Sequence, residues 1–102
     1  MPQRVKVEGD LYHGHVPEGA VYVGRGAPGM KQSPFHNPFH VGREAKDRAE
    51  SVEMYRGYLA GRPDLVVRAR EELAGRDLAC WCHLDQPCHG DVLLAVAAGE
   101  EP

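Results

Sequence analysis

The residues best suited to chemistry lie within ten positions near the carboxyl terminus, in the segment C-W-C-H-L-D-Q-P-C-H of residues 80–89. This segment contains all three cysteines of the chain, its single tryptophan and two of its six histidines. Thiols and imidazoles can hold a metal ion, act as nucleophile and base, or pack as small apolar and capping groups. Each use requires a different geometry, which the surrounding elements must supply.

Zinc binding is one interpretation of this segment. The candidate ligands are Cys80, Cys82, Cys88 and His89, with His36 or His40 as a substitute for the last. Three thiolates and one imidazole form a common structural zinc set. The spacing C-x-C-x5-C-H, however, lacks the paired C-x2-C turns of most such sites, and adjacent Cys and His ligands strain a tetrahedron. Zinc therefore stays an open alternative as the cofactor.

A ligand pocket with a reactive thiol is the second interpretation. Pro87 predicts the first turn of a helix, so Cys88 and His89 fall at its N-terminus. Unpaired N–H groups and the positive end of the helix dipole stabilise a thiolate there and can hold an anion. Cys88 would then be the nucleophile, beside His89. The third interpretation is structural: the cysteines pack as small apolar residues, and His89 caps the helix or packs.

The surrounding sequence predicts the strands that would position these residues. Alternating and β-branched residues predict strands over residues 4–8 and 20–24, and an apolar run predicts a third over residues 78–82. Strands that alternate with helices indicate a small α/β fold. We therefore expect a single domain of residues 1–102, with a sheet of three to four strands and three helices packed against it.

Three helices are predicted from apolar residues at helical spacing. The first spans residues 43–59, the second begins at Pro63 and ends at Gly75, and the third begins at Pro87 and ends at Gly99. Their predicted buried faces are Val52, Tyr55 and Leu59 in the first helix, Val66, Ala69 and Leu73 in the second, and Val92, Leu93 and Val96 in the third. The arginines of residues 43–76 alternate with acidic residues, which predicts a solvated, salt-bridged face.

Two of the predicted strands end on residues suited to a ligand site. Alternation puts Cys80 and Cys82 on one side of the third strand and Trp81 on the other. The second strand ends in V-Y-V-G-R-G, where Gly24 lets the backbone approach a ligand and Arg25 offers a planar fork for phosphate or carboxylate. Because ligands bind at the carboxyl ends of strands in α/β sheets, we expect these two exits to meet.

The long segment of residues 25–42 is predicted to be a functional loop, because a structureless loop of this length is uncommon in a small domain. Its N-P-F sequence places Asn37 where an Asx turn would fix the loop, with Phe39 packed on the core. His36 and His40 are close enough in sequence to serve one pocket.

The composition of the chain restricts its partners. A formal net charge of −3 provides no positive field that would attract nucleic acid. No apolar stretch approaches the roughly 20 residues that span a bilayer, so no membrane partner is expected. The N-terminus lacks the apolar core of a signal peptide, and three cysteines are an odd number for a disulfide scaffold. We expect a cytoplasmic protein; its oligomeric state is left open.

Three segments form a recognisable set: P-x-R-V near the start, V-P-E-G-A-V-Y-V-G-R-G in the second strand, and D-L-A-C-W-C-x-L-D-Q-P-C-H-x-D-V-L-L at the end. Together they resemble the DUF4326 family, small proteins of actinobacteria, other bacteria and phages without an assigned function. The residues that the resemblance carries over are Gly24, Arg25, Asn37, Pro38, Phe39, Cys80, Trp81, Cys82, Cys88, His89 and Asp91. The chain lacks the Trp-Gly that usually precedes N-P-F in the family and the basic stretch after the first strand.

The helix start at Cys-His is also loosely similar to that of the DUF488 family, which favours a pocket over a zinc knuckle. The leading hypothesis is thus a polar pocket that binds a small anionic, nucleotide- or nucleoside-like ligand. The candidate catalytic residues are Cys88 and His89, and the candidate ligand-binding residues are Gly24, Arg25, Asn37, Cys82 and Asp91. If the protein is an enzyme, hydrolysis or transfer at a nucleoside or phosphate is the predicted class. The alternatives are a non-enzymatic Cys3His zinc module and a structural accessory protein.

Overall fold

The computed structural model describes residues 2–9, 15–26, 32–81 and 84–102. Its sheet consists of three short parallel strands, β1 (Arg4–Lys6), β2 (Ala20–Tyr22) and β3 (Asp77–Cys80), in the order β1-β3-β2. The central strand β3 is an apolar run whose last three residues are buried, as expected for a strand covered on both faces. The predicted α/β class is confirmed.

The two outer strands bring their carboxyl ends to the same edge of the sheet. Both pair parallel with β3, and the hydrogen bonding continues just past the strands. The N–H of Val7 donates to Cys80 O at 2.9 Å, and the N–H of Val23 donates to Ala79 O at 2.9 Å. Because all three strands end at this edge of the sheet, the segments that follow β2 and β3 are neighbours, as the sequence predicts.

Three helices pack on one another and, through the last of them, on the sheet. They are α1 (Arg48–Ala60), α2 (Pro63–Glu72) and α3 (His89–Ala97), and α3 contacts α1, α2, β1 and β3. The buried core joins all three to β3 through Tyr55, Leu59, Leu65, Ala69, Leu73, Leu78, Val92, Leu93 and Val96. Within the described residues, no helix is long and apolar enough to cross a membrane.

The first helix begins later than the sequence indicates. Residues 43–47 do not join it, because Gly42 has a φ of +87° and its N–H donates to Ala45 O in a tight turn. Asp47 is extended, with φ of −151°, and its carboxylate accepts the N–H of Glu50 as the N-cap of α1. Gly61 follows the last helical residue, as predicted. The correction moves Arg48 from mid-helix to the first turn.

The buried faces of the helices follow the prediction with two changes. In α1, Tyr55 and Leu59 are buried and Val52 is only partly buried against the core. In the second helix Ala69 and the C-cap residue Leu73 are buried. Leu65, four residues before Ala69, takes the buried place that was predicted for Val66, which packs at the margin of the core.

The boundaries around the Cys-His segment also differ from the prediction. The third strand spans Asp77–Cys80 and does not extend through residue 82, which lies outside the described residues. The last helix begins at His89, because Cys88 has the extended backbone of an N-cap, with φ of −148° and ψ of 145°. Pro87 therefore precedes the cap and is not in the first turn.

Candidate functional site

A cavity of about 350 Å³ opens at the carboxyl edge of the sheet, beside the start of α3. Its wall combines the exit of β2, the loop before α1, the first turns of α1, the end of β3 and the cap of α3. The described lining residues are Gly24, Arg25, Asn37, His40, Val41, Arg48, Ser51, Val52, Cys80, Trp81, Pro87, Cys88 and His89. Segments that are far apart in sequence thus form one concave surface.

Most of the residues that the sequence singles out lie on this wall. They are Gly24, Arg25, Asn37, Cys80, Cys88 and His89. Asp91 does not line the cavity: its side chain is 54% exposed and pairs with Arg4. Cys82, predicted both as a ligand contact and as a metal ligand, lies outside the described residues. Of the two loop histidines, His40 lines the cavity.

Two buried thiols meet where β3 ends and α3 begins. The sulfur atoms of Cys80 and Cys88 are 3.1 Å apart, and both residues are reduced cysteines. Cys88 acts as the N-cap, and its sulfur accepts the N–H of Gly90 at 3.5 Å. A thiol in this position faces the positive end of the helix, where negative charge is stabilised.

His89 is held beside Cys88 by two contacts. Its Nε2 lies 2.7 Å from the carbonyl oxygen of Val23, so Nε2 carries the hydrogen and donates it. The other ring nitrogen, Nδ1, then presents a lone pair and lies 3.7 Å from the sulfur of Cys88. The ring packs edge-on against Tyr55 at a centroid distance of 5.0 Å. His89 is therefore oriented to accept a proton from the Cys88 thiol.

Arg25 follows β2 and ties the long loop to the sheet. Its Nε donates to Asn37 O at 2.7 Å and its Nη2 donates to Phe39 O at 3.2 Å. The residue before it must be small: a Cβ on Gly24 would lie 2.6 Å from the hydroxyl oxygen of Tyr22. That hydroxyl donates to the carbonyl of Arg25. Part of the guanidinium of Arg25 thus holds the loop in place, and the residue also lines the cavity.

Asn37 forms the Asx turn that the sequence predicts. Its Oδ1 accepts the N–H of Phe39 at 2.9 Å, and its Nδ2 donates to the hydroxyl of Ser51 at 2.9 Å. Ser51 in turn donates to Phe39 O at 2.7 Å. Phe39 is half-buried and packs edge-on against Tyr58. The loop is therefore fastened to α1 by a closed set of hydrogen bonds.

Arg4, which was not predicted as a site residue, binds residues 84–86 from the opposite side of the cavity wall. Its Nη2 donates to the carbonyls of Leu84 and Gln86 at 2.9 and 2.8 Å, and its Nε lies 3.2 Å from Asp91 Oδ1. Burial is the largest single influence and lowers the pKa of the guanidinium, but Cys88, Asp91 and Cys80 together raise it by more, so the pKa of Arg4 is raised overall. The recurring P-x-R-V at the start of the chain was the available signal.

Two further lining residues were not predicted as part of a site. Arg48 was assigned to a solvated, salt-bridged face, yet it lines the cavity because α1 begins at this residue. Ser51 lies one turn before Tyr55 on the buried side of α1, and a polar residue in that position could have indicated its role. None of the described lining residues is acidic, and Arg25 and Arg48 contribute two basic side chains to the wall.

The prediction that Trp81 lies on the opposite side of the third strand from Cys80 is wrong. The strand ends at Cys80, so alternation does not extend to Trp81, and both residues line the same cavity. The indole Nε1 is buried and has no hydrogen-bond partner among the described residues. Lys6 lies over the ring, with Nζ 5.8 Å from its centroid.

In the described ranges 2–9, 15–26, 32–81 and 84–102, no three or more His, Cys, Asp or Glu side chains are arranged to hold a metal ion.

Residues 10–99 match the family model of DUF4326, a domain of unknown function. No curated protein and no solved structure matches the chain.

Proposed function

This chain belongs to the DUF4326 family, whose function is unknown, and we propose from the geometry that its cavity binds a small anionic ligand of nucleotide- or nucleoside-like character. The observation that carries the proposal is the convergence of Gly24, Arg25, Asn37, Cys88 and His89 on one cavity of about 350 Å³. Ligand pockets in proteins commonly begin at about 300 Å³, so the space suits a ligand of this size.

The charge on the wall favours an anion. Arg25 and Arg48 line the cavity, and no described lining residue carries a carboxylate. The start of α3, capped by Cys88, adds the positive end of a nine-residue helix. Guanidinium groups and a helix N-terminus together are a frequent means of binding phosphate. These groups would contact the anionic part of the ligand.

The remaining wall suits a flat, partly apolar group such as a base or a sugar. Val41 and Val52 provide apolar surface, and Trp81 provides an aromatic ring. The buried Nε1 of Trp81, without a partner among the described residues, is a donor that an acceptor on the ligand could satisfy. Asn37 holds the loop, since both ends of its amide are engaged by Phe39 and Ser51.

Cys88 and His89 would be the reactive groups if the bound ligand is turned over. A thiol at a helix start beside an imidazole whose far nitrogen donates to a carbonyl has the arrangement of an activated nucleophile. Hydrolysis or transfer at a nucleoside or phosphate group is the class of reaction we propose, and we expect it in the cytoplasm, where thiols stay reduced.

Calorimetric titration tests the binding proposal, with inorganic phosphate, ribose 5-phosphate and nucleoside mono- and diphosphates as probes. Arg48 is exposed in the first turn of α1, so Arg48→Ala should leave the fold intact while weakening binding by about tenfold or more, because a charge-assisted hydrogen bond contributes about 1.5 kcal/mol. Arg56→Ala is the matched control: it removes an exposed arginine that pairs with Glu53 on the same helix.

The Arg56 variant should bind as the unaltered protein does. Binding of none of the probes, or equal loss in both variants, would contradict an anionic ligand in this cavity.

The zinc alternative has one supporting observation, the approach of Cys80 and Cys88 to 3.1 Å. Tetrahedral bonds of about 2.3 Å to zinc would hold the two sulfur atoms about 3.8 Å apart, so a small rearrangement would suffice. Completion of the set would depend on Cys82, outside the described residues, and on His89. Metal analysis of protein purified without added zinc or a histidine tag decides this: about one zinc per chain supports the module, and its absence excludes it.

A further inference from the structure

We propose that Cys80 and Cys88 are a redox-active dithiol, which hydrogen peroxide or a comparably small peroxide oxidises to a disulfide. The two sulfur atoms are 3.1 Å apart and belong to different elements, the end of β3 and the cap of α3. A disulfide bond is about 2.05 Å long, so the sulfur atoms need to approach by only about 1 Å. The inference does not depend on a ligand for the cavity.

The cavity gives a small oxidant access to thiols that are otherwise shielded. Cys80 and Cys88 are only 1% and 2% exposed, yet both line the cavity of about 350 Å³. A peroxide is small enough to enter such a space. A bulky aromatic disulfide reagent must bring a ring system against the sulfur atom, so we expect it to react with the folded protein far more slowly than the peroxide does.

The surroundings of the two thiols assign different roles to them. Cys88 receives the N–H of Gly90 at 3.5 Å and faces Nδ1 of His89 at 3.7 Å. The guanidinium of Arg4, whose side chain is only 7% exposed, lies beside both sulfur atoms and favours a thiolate on either, so the contacts to Gly90 and His89 distinguish Cys88. Cys88 is therefore the thiol that attacks the oxidant, and Cys80 is the thiol that resolves the product.

The reaction is a two-electron oxidation of the pair. Nδ1 of His89 takes the proton of Cys88, and the resulting thiolate attacks one oxygen of the peroxide; the O–O bond breaks, and the leaving hydroxide takes a proton to become water. The sulfur of Cys80 then attacks the sulfenic acid on Cys88, the S–O bond breaks, and a second water leaves with the remaining proton. Two thiols and one hydrogen peroxide thus give one disulfide and two waters.

Treatment of the native protein with stoichiometric hydrogen peroxide, followed by blocking of thiols and intact-mass measurement, tests the proposal. We expect the loss of two hydrogen atoms per chain and recovery of both thiols with dithiothreitol. Cleavage before Asp77, Asp85 and Asp91 separates the pair, since Cys80 falls in the peptide of residues 77–84 and Cys88 in that of residues 85–90. The two peptides should stay linked until they are reduced.

Cys82→Ser removes the third thiol and leaves the linkage assignable, because Cys82 shares a peptide with Cys80. If this variant does not fold, fragmentation of the linked peptides from the unaltered chain identifies the cysteine instead. Cys80→Ser should stop at the sulfenic acid of Cys88, trapped by dimedone. Cys88→Ser should form neither product, while serine keeps an acceptor at the N-cap.

Three results would overturn the proposal: a linkage of Cys82 to Cys88, no disulfide after peroxide treatment, or thiols protected by a bound zinc ion. The phosphate and nucleotide titrations have a separate readout, so failure of ligand binding leaves the redox pair standing, and failure of disulfide formation leaves the ligand proposal standing.

Discussion

Among the residues that the structure describes, Tyr55 is the largest fully buried side chain, and it packs beneath the site. Its hydroxyl donates to Phe35 O at 2.7 Å, and its ring packs against His89. Burial, followed by the neighbouring Tyr58 and Cys88, raises the pKa of Tyr55 above its usual value. The folded protein therefore keeps this phenol neutral at a pH where the unfolded chain has lost the proton.

The raised pKa of Tyr55 predicts a loss of stability in alkali. The unfolded chain binds fewer protons than the folded one above about pH 10, so the contribution of the neutral phenol is present below that pH and decreases as the pH rises, by about 1.4 kcal/mol per pH unit. Urea unfolding of Tyr55→Phe from pH 8 to 11 should show a shallower alkaline decline. It should also show about 1 kcal/mol less stability at neutral pH, from the lost hydrogen bond.

Tyr58→Phe is the control, because Tyr58 is only half-buried and its hydroxyl accepts from the exposed Arg62. An alkaline decline that is the same in Tyr55→Phe and the unaltered protein would contradict a buried, neutral phenol.

At the scale of elements, the cap of α1 decides which residues of that helix reach the cavity. Asp47 accepts the N–H of Glu50 at 2.9 Å, and Glu50 accepts the N–H of Lys46 at 3.2 Å. The helix therefore begins at Arg48, and its first turn carries Arg48 and Ser51 to the wall. The same turn carries Ser51, whose hydroxyl bonds to Asn37 and to the carbonyl of Phe39, so loss of the cap would also loosen the loop.

Asp47→Ala should lower the free energy of unfolding by about 1 kcal/mol, because the N–H of Glu50 loses its acceptor. Asp47→Asn should restore most of that loss, since the amide oxygen can accept the same bond. Urea denaturation at neutral pH measures both. Glu53→Ala, which removes an exposed carboxylate of the same helix, is the control and should change stability by less than about 0.5 kcal/mol. Equal effects of Asp47→Ala and Glu53→Ala would exclude the capping role.

At the scale of the whole molecule, Arg4 connects the start of the chain to its last helix. The residue lies in β1, an outer strand, and its side chain reaches two carbonyls before α3 and the carboxylate of Asp91 within it. Gly90 leaves room for this arrangement: a Cβ there would lie 3.2 Å from Arg4 Cδ. One buried guanidinium therefore holds the Cys-His segment against the sheet.

Arg4→Ala should destabilise the protein by about 2 kcal/mol, because it removes charge-assisted hydrogen bonds to the carbonyls of Leu84 and Gln86 and leaves the part-buried carbonyl of Gln86 without its donor. Asp91→Ala should cost less than about 1 kcal/mol, since this side chain is 54% exposed and solvent replaces its partner. Chemical denaturation compares the two. Arg62→Ala, which breaks the exposed pair with Asp64, is the control. A loss of stability for Arg4→Ala no larger than that for Arg62→Ala would contradict this role of Arg4.

The sequence predicted which residues are neighbours where backbone geometry dictates their proximity. Strand exits in a parallel sheet meet at one edge, so Arg25 and Cys88 could be placed together before the fold was known. The sequence did not predict the roles of Arg48 and Arg4. Helical spacing and charge alternation did not reveal that α1 begins at Arg48, nor that the side chain of Arg4 in β1 contacts the residues before α3. Both depend on contacts between residues distant in sequence.

By itself, the sequence determined the α/β class, the approach of the two strand exits and the Asx turn at Asn37, since each follows from local pattern and residue type. It predicted the start of the last helix at Pro87, two residues before the observed start at His89. Tertiary structure decided that Cys80 and Cys88 approach to 3.1 Å and that His89 turns its Nε2 to Val23. Packing thus gives Cys80, Cys88 and His89 a fixed mutual orientation that their positions in the sequence do not specify. The reason is that side-chain direction at a strand end is set by packing, here from Arg4 on one side and Tyr55 on the other, and not by alternation.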